Sequence, residues 1–244
     1  MPEPEPTVTV PERSTDVRWG LGDAALGWVL AQIGGAITAA IVLALNDDTT
    51  DFEDLSLAWV AVAQLGLWFG MLGVPLVASK LKGNGPVRDY GLRSEGWDAP
   101  LGFGAGIVTQ LLLIPLLYGP IFWLTDLDSS DLEDPARGLT DRATGSLGVA
   151  MLILVVGIGA PIVEEIFYRG LLQRSLERRF GVWPGILGSA LLFGVSHFQL
   201  LQLPALVLFG IVLGLLAHRT GRLAAPIAAH IVFNMTTVLF LVGS

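Results

Sequence analysis

The 244-residue sequence contains no cysteine, so disulfide bonds, thiol nucleophiles and cysteine metal ligands are excluded. Charge is scarce too: Asp, Glu, Lys and Arg make up 15% of the residues, against 52% hydrophobic ones. Soluble domains carry about 25% charged residues. The net charge of −8 is opposite in sign to that of nucleic-acid-binding proteins, and no nucleic-acid partner is expected. This composition indicates a membrane protein.

Targeting and hydrolase motifs are also missing. The first residues, "MPEPEPTVTVPER", are acidic and proline-rich, with no basic segment before an apolar core, so no signal peptide is expected. We predict a disordered cytosolic tail over residues 1–20. The zinc-protease motif H-E-x-x-H and the serine-hydrolase motif G-x-S-x-G do not occur.

Long apolar runs dominate the rest of the chain. A helix that crosses the roughly 30 Å hydrocarbon core of a bilayer needs about 20 apolar residues. Residues 180–217 are long enough for two short passes that break near Pro204. Five further stretches each suffice for one pass: 21–45, 55–79, 99–125, 143–163 and 223–244. The sequence therefore predicts an all-α, polytopic membrane helix bundle of seven or eight transmembrane helices, with residues 21–244 as a single transmembrane domain.

The basic residues predict an orientation. With the N-terminus inside, 12 of the 14 Lys and Arg residues fall on the cytosolic side, and only Arg137 and Arg142 fall outside. This bias follows the positive-inside rule, so we predict a cytosolic N-terminus in a bacterial cell membrane. The acidic loop 126–142 is then expected to be a solvated outer loop. Three G-x-x-x-G pairs, at 66/70, 102/106 and 210/214, predict close contacts between helices.

Strongly polar side chains lie inside the apolar segments of the second half. Placing one charge at the centre of a membrane helix costs about 2.5–3.5 kcal/mol on insertion scales, so such groups usually mark a functional site. The residues are Glu164, Glu165, Arg169, His197, His230 and Asn234. Counting helical rise from the cytosolic boundary brings them to a similar depth. We therefore expect them to converge on one cavity, open towards the cytosol.

Helical spacing separates the two glutamates. Glu165 and Arg169 are four residues apart and can pair along one helix face, whereas Glu164 is rotated by about 100°. Glu164 is thus the carboxylate that is freer to act. Phe193 and His197 share the spacing of four, so the aromatic ring can wall one side of the imidazole.

These residue types suit the hydrolysis of an amide bond. Glu164 and His197 can hold a water molecule between them, and either can accept its proton. His230 and Asn234 can donate hydrogen bonds to a developing oxyanion. Glu164, His197 and His230 are also the ligand types of a zinc site, so a divalent metal cofactor such as zinc stays open at this stage.

Two non-catalytic alternatives remain. Glu164, Glu165 and Arg169 could form a purely structural ion pair at a cytosolic helix end. The whole chain could instead be a transporter with a protonatable site, or a binding scaffold of the bacteriocin-immunity type. All the polar groups lie in the second half and no internal repeat is evident, which favours an enzyme.

Three motifs in order resemble those of the CAAX prenyl protease and bacteriocin-processing family of intramembrane endopeptidases. They are E-E-x-x-x-R as "EEIFYR", F-x-x-x-H as "FGVSH" and H-x-x-x-N as "HIVFN". The resemblance covers a core of about residues 146–240, and "YGLR" at 90–93 looks like the family's upstream segment. It implies that Glu164 and His197 activate water and that His230 and Asn234 stabilise the oxyanion. It also implies membrane-associated, including lipidated, peptide substrates, with Glu165, Arg169 and Phe193 supporting the site.

Overall fold

The structure, a computed structural model, describes residues 17–46, 51 and 54–242. Over these residues it is helical and has no strand, which confirms the all-α prediction. The helices are α1 (Leu21–Ala44), α2 (Leu57–Lys82), α3 (Pro86–Asp89), α4 (Asp98–Leu124), α5 (Ser129–Thr140), α6 (Gly145–Phe180), α7 (Val182–Val195), α8 (Leu203–Thr220) and α9 (Ala224–Val242).

Seven of these helices account for the predicted passes. In the described part of the chain, α1, α2, α4, α6, α8 and α9 are long and apolar enough to cross a membrane, and α7 is a shorter apolar helix. The chain breaks between α7 and α8, as predicted, and Pro204 lies in the first turn of α8. Proline is tolerated there because the first helical N–H groups have no partner within the helix. The protein is thus an integral membrane helix bundle.

Helix α6 is interrupted by two π-helical segments. They cover Ile153–Gly159 and Ile166–Gln173, and they flank the regular turn Ala160–Glu165, which carries both glutamates. Such wide turns often occur at functional sites, because they re-aim side chains and release backbone carbonyls. With 36 residues α6 would be about 54 Å long at the α-helical rise, so it extends beyond the bilayer core.

The G-x-x-x-G pairs lie where helices approach closely, as predicted. A methyl group on Gly70 would lie 2.6 Å from Cα of Ala31, so α1 and α2 can pack only because this position has no side chain. A methyl group on Gly106 would lie 2.6 Å from the carbonyl oxygen of Ala229, which joins α4 to α9 in the same way. The third pair belongs to the functional region.

The "YGLR" segment, residues 90–93, is hydrogen-bonded to the basic ends of several helices. The carbonyl oxygen of Tyr90 accepts a hydrogen bond from Arg174 at 3.0 Å, and that of Gly91 accepts one from the Leu223 amide at 3.0 Å. The Tyr90 hydroxyl donates to the carbonyl oxygen of Pro75 at 2.8 Å. Burial raises the pKa of Tyr90, so the hydroxyl stays protonated and remains a donor. The loop thereby links α2, α6 and α9.

Most of the predicted disordered tail, residues 1–16, lies outside the described residues and stays a prediction. Residues 17–20 of that tail are described. Among them Trp19 is buried, and its indole N–H donates to Asp89 at 2.9 Å. The Arg178 guanidinium lies 3.9 Å from the centre of the Trp19 ring. These contacts attach the start of α1 to α3 and to the basic end of α6.

The loop 126–142 contains a helix, which was not predicted. Helix α5 has a side-chain cap at its start, because the Asp128 carboxylate accepts from the Ser130 amide at 2.7 Å. None of its residues is fully buried, yet it packs against α6 and α9. The side chain of Gln202 donates to the carbonyl oxygen of Leu132 at 2.7 Å, which ties α5 to the start of α8.

Candidate active site

Glu165 and Arg169 form the ion pair predicted from their spacing. An Arg169 N–H donates to Oε1 of Glu165 at 2.8 Å, and both side chains are almost completely buried. A second Arg169 N–H donates to the carbonyl oxygen of Gly210 at 3.2 Å, and the guanidinium lies 4.6 Å from the centre of the Phe193 ring. The arginine therefore joins α6, α7 and α8 at one point.

His230 lies between the two glutamates. Its Nδ1 is 2.9 Å from Oε1 of Glu165, and its Nε2 is 3.7 Å from Oε2 of Glu164. The Glu165 oxygen already accepts from Arg169, so Nδ1 of His230 is the donor in this contact. Glu165 thus fixes the orientation of the imidazole and turns its other nitrogen towards Glu164. The contact bridges 65 residues of sequence and was not predicted.

His197 follows the end of α7, and its protonated nitrogen can be assigned. Nδ1 is 2.8 Å from the carbonyl oxygen of Phe193, and a carbonyl oxygen only accepts, so Nδ1 carries the hydrogen. In the neutral ring Nε2 is then an acceptor, as a base for water requires. The ring packs against Phe193 with centroids 4.8 Å apart, as the spacing predicted. The next residue, Phe198, has a φ of 55°, a conformation that bulky residues seldom adopt outside special sites.

Asn234 projects from α9 one turn after His230. Its Nδ2 donates to the carbonyl oxygen of Val156 at 2.9 Å, and Val156 lies in the first π-helical segment of α6. A carboxamide nitrogen carries two hydrogens, so this bond fixes the side chain and leaves one donor for another acceptor. The wide turn thus supplies the carbonyl oxygen that positions the amide.

One cavity of about 550 Å³ collects the predicted catalytic residues. That volume is within the range of about 300–1,000 Å³ usual for ligand sites. Glu164, His197, His230 and Asn234 line it, together with Phe193. The supporting residues Glu165 and Arg169 lie behind this wall, buried in the protein. The structure therefore brings the sequence-predicted residues together.

The direction of the cavity differs from the prediction. It extends from the site towards α5, and its walls include Leu57 at the start of α2 and Leu139 in α5. Residues of the basic loops and helix ends, where an opening to the cytosol was expected, do not line it. The prediction failed because helical rise gives the depth of a residue but not the side on which the helices separate.

Three further residues that contact the site were not predicted from the sequence. Phe209 packs against the His230 ring with centroids 5.2 Å apart. The Trp28 indole N–H donates to the Ser196 hydroxyl at 2.9 Å, which ties α1 to the residue before His197. Of these, only Ser196 carried a signal, through its position next to a motif histidine.

The geometry does not support the zinc alternative. Glu164, His197 and His230 would be the ligands, yet within the described residues no group of three or more His, Asp or Glu side chains is arranged to hold a metal ion. Nδ1 of each histidine is engaged with Phe193 or Glu165, so only the Nε2 atoms could bind a metal.

Comparison with known proteins supports the resemblance. Residues 146–236 match the family model described as "Type II CAAX prenyl endopeptidase Rce1-like". A Bacillus subtilis protein named "Putative membrane peptidase YdiL" is 32% identical over 91 residues, 37% of each chain. Human "CAAX prenyl protease 2" is 27% identical over 161 residues, which cover 57% of this chain and 47% of the human one. No solved structure gave a significant match.

The similarity to this family, predicted from the three motifs, is therefore confirmed for the segment that carries them. The chain spans less than half the length of these curated relatives. The matched segment begins within α6 and ends within α9, so it contains every predicted catalytic residue.

Proposed function

We propose that this protein is an intramembrane endopeptidase that hydrolyses peptide bonds of membrane-associated substrates, including lipidated ones. We further propose that it lies in the bacterial cell membrane with its N-terminus in the cytosol. The basic residues support this orientation, because the predicted topology assigns 12 of the 14 Lys and Arg residues to one side. The match to the family model and the name of the human relative, a CAAX prenyl protease, support the reaction class.

The proposed mechanism assigns the water to Glu164 and His197. Glu164 accepts a proton from the water while Nε2 of His197 accepts a hydrogen bond from it, and the water oxygen attacks the peptide carbonyl carbon. The tetrahedral intermediate then breaks its C–N bond. Glu164 returns the proton to the leaving amine, so the products are a carboxylic acid and an amine.

The oxyanion is assigned to His230 and Asn234. Asn234 keeps one N–H beyond its bond to Val156. His230 can donate through Nε2 only when that nitrogen is protonated together with Nδ1, and Glu165 holds Nδ1 in place. Fixed donors of this kind stabilise charge that develops in the transition state, because they need no reorganisation.

The observation that carries the proposal is the convergence itself. A carboxylate, two imidazoles and a carboxamide from α6, the turn after α7 and α9 line one cavity inside a membrane bundle. Polar groups at such a depth are costly, and a scaffold would not need them on a cavity wall.

Membrane proteomics tests the function in cells. Membrane peptides from cells that express the wild type are compared with those from cells that express Glu164→Ala. We expect a set of cleavage products that depends on Glu164. Glu95→Ala is the control, because this exposed carboxylate on the basic side removes the same charge far from the cavity. Equal peptide sets in wild type and Glu164→Ala would instead favour the transporter or scaffold.

A further inference from the structure

The cavity is bounded by one half of the bundle only. Residues of the first turns of α2, such as Leu57 and Gln64, line the cavity. The first turns of α8, up to Phe209, line it as well. From α9 it takes the later turns, up to Val238. All of these segments lie at the α5 end of the bundle. Ser129, at the start of α5, is exposed and also lines the cavity. The cavity therefore reaches the surface at α5.

A polar ladder closes the opposite side. Along α6 the side chains at 165, 169, 173 and 177 follow one another at intervals of four, and α8 presents positions 210, 214 and 218 at the same interval. Below the Arg169–Gly210 contact, Gln173 donates to the carbonyl oxygen of Gly214 and to Glu177, both at 3.0 Å. His218 then meets Glu177 at 3.2 Å.

This ladder is a tight seal between α6 and α8. Gln173 and Glu177 are buried, and a methyl group on Gly214 would lie 2.9 Å from the Gln173 carboxamide oxygen. The third glycine pair of the sequence, Gly210 and Gly214, thus exposes backbone carbonyls to the ladder. Separating the helices here would leave buried polar groups without partners, at a cost of about 1–3 kcal/mol each. A substrate path through this side is therefore unfavourable.

The cavity walls fit an extended peptide. They are mostly apolar, and Gln64, Gln110 and Thr237 contribute polar side chains with which a peptide backbone can pair. Apolar side chains of the same peptide would contact Ile114 and Leu132.

We infer that the site receives its substrate from the extracytosolic side of the membrane, past α5, as an extended apolar segment of a membrane-anchored protein or peptide. The inference rests on the proposed function and on the proposed orientation, which places α5 outside. It excludes entry from the cytosol, the side that the basic loops occupy.

The absence of cysteine allows a direct test, because one introduced thiol is the only one in the chain. Thr237→Cys and Leu139→Cys place it on the cavity wall, in α9 and in α5. Glu95→Cys places it in the basic loop, and Leu111→Cys on the exposed surface of α4 that faces lipid. Each variant is treated with a small, charged, membrane-impermeant methanethiosulfonate in intact and in permeabilised cells.

We expect both cavity thiols to react in intact cells, at least about tenfold faster than the lipid-facing thiol, and the Glu95→Cys thiol to react only after permeabilisation. The inference is overturned if the cavity thiols react only after permeabilisation, or no faster than Leu111→Cys. It is equally overturned if the Glu95→Cys thiol reacts in intact cells, because α5 would then lie inside.

The labelling needs no catalysis, so it is independent of the proposed reaction. External labelling together with unchanged cleavage products in Glu164→Ala leaves the access route standing and removes the peptidase. Cleavage that depends on Glu164, together with labelling only from the cytosol, removes the access route and leaves the peptidase.

Discussion

Replacing Arg169 by methionine separates the support of the site from its chemistry. The substitution keeps an unbranched side chain but removes the 2.8 Å contact to Glu165, the 3.2 Å bond to the Gly210 carbonyl and the stacking on Phe193. Glu165 is then left buried without the guanidinium that balances its charge. Removing one member of a buried ion pair typically costs about 3–5 kcal/mol.

This loss converts into a measurable melting shift. For chains of about this length 1 kcal/mol corresponds to about 2–4 °C, so we expect Tm to fall by about 6–20 °C. The melt can be followed by intrinsic fluorescence in lipid nanodiscs, since the protein has seven tryptophans. Arg179→Met is the matched control: this arginine also lies on α6 near an aromatic ring, that of Phe180, but it is exposed, and its loss should cost about 1 kcal/mol or less.

A second substitution tests the cause. Arg169→Met leaves the Glu165 carboxylate without its guanidinium, and Glu165→Gln removes that carboxylate. The double variant should therefore lose less unfolding free energy than the sum of the two single variants, by about 0.5–3 kcal/mol. A Tm for Arg169→Met within about 2 °C of the wild type would refute the reasoning. Strictly additive losses in the double variant would show that the two side chains do not stabilise each other.

Three further predictions concern the oxyanion site, the glycine contacts and the "YGLR" loop. Asn234→Ala should lower kcat by about 10²–10³ with little change in KM, the scale of losing one oxyanion donor, and steady-state cleavage kinetics would measure it; an unchanged kcat would remove Asn234 from that role. Gly106→Leu should prevent α4 from packing on α9 and reduce the yield of monodisperse protein, whereas the same substitution at Gly104, where a methyl group meets nothing within 4 Å, should be tolerated; equal yields would contradict the close contact. Tyr90→Phe should destabilise the protein by about 0.5–1.5 kcal/mol through the lost bond to Pro75 and leave kcat unchanged, and a kcat effect larger than the loss of folded protein would place the loop in the reaction.

The membrane passes and the ion pair could be predicted because they depend on local periodicity. Apolar length alone located the passes, and the break before Pro204 followed from a run too long for one helix. The Glu165–Arg169 contact followed from a spacing of four within one helix. The glycine contacts were predictable because small residues four positions apart lie on one helix face and allow a neighbouring helix to approach closely.

The long-range contacts could not be predicted in the same way. No local pattern says that His230 meets Glu165, because the two residues lie on different helices. No sequence pattern indicates the π-helical segments of α6 either, although one of them supplies the Val156 carbonyl oxygen that binds Asn234. The acidic loop 126–142 was expected to be solvated because it carries two basic and six acidic residues. Its helix α5 nevertheless packs across the end of the cavity.

The side on which the cavity opens was the largest error, and its cause is physical. The depth count treated each helix as an independent rod. The position of the opening depends on how neighbouring helices contact each other. Gln173 and Gly214 join α6 to α8 on one side of the site, and the helices leave a cavity between them on the side of α5.

The central claim is that Glu164 activates the water, and peptide cleavage by purified Glu164→Gln tests it most directly. The glutamine keeps the shape of the side chain but cannot accept the proton, and general-base catalysis usually contributes about 10²–10⁴ in rate. The substrate is a peptide from the proteomic set, cleaved in lipid nanodiscs under single-turnover conditions, with Glu95→Gln as the control. The account predicts that Glu164→Gln folds with a normal melting curve and loses at least about 10² in the cleavage rate, while Glu95→Gln cleaves like the wild type. Cleavage by folded Glu164→Gln at the wild-type rate would contradict it.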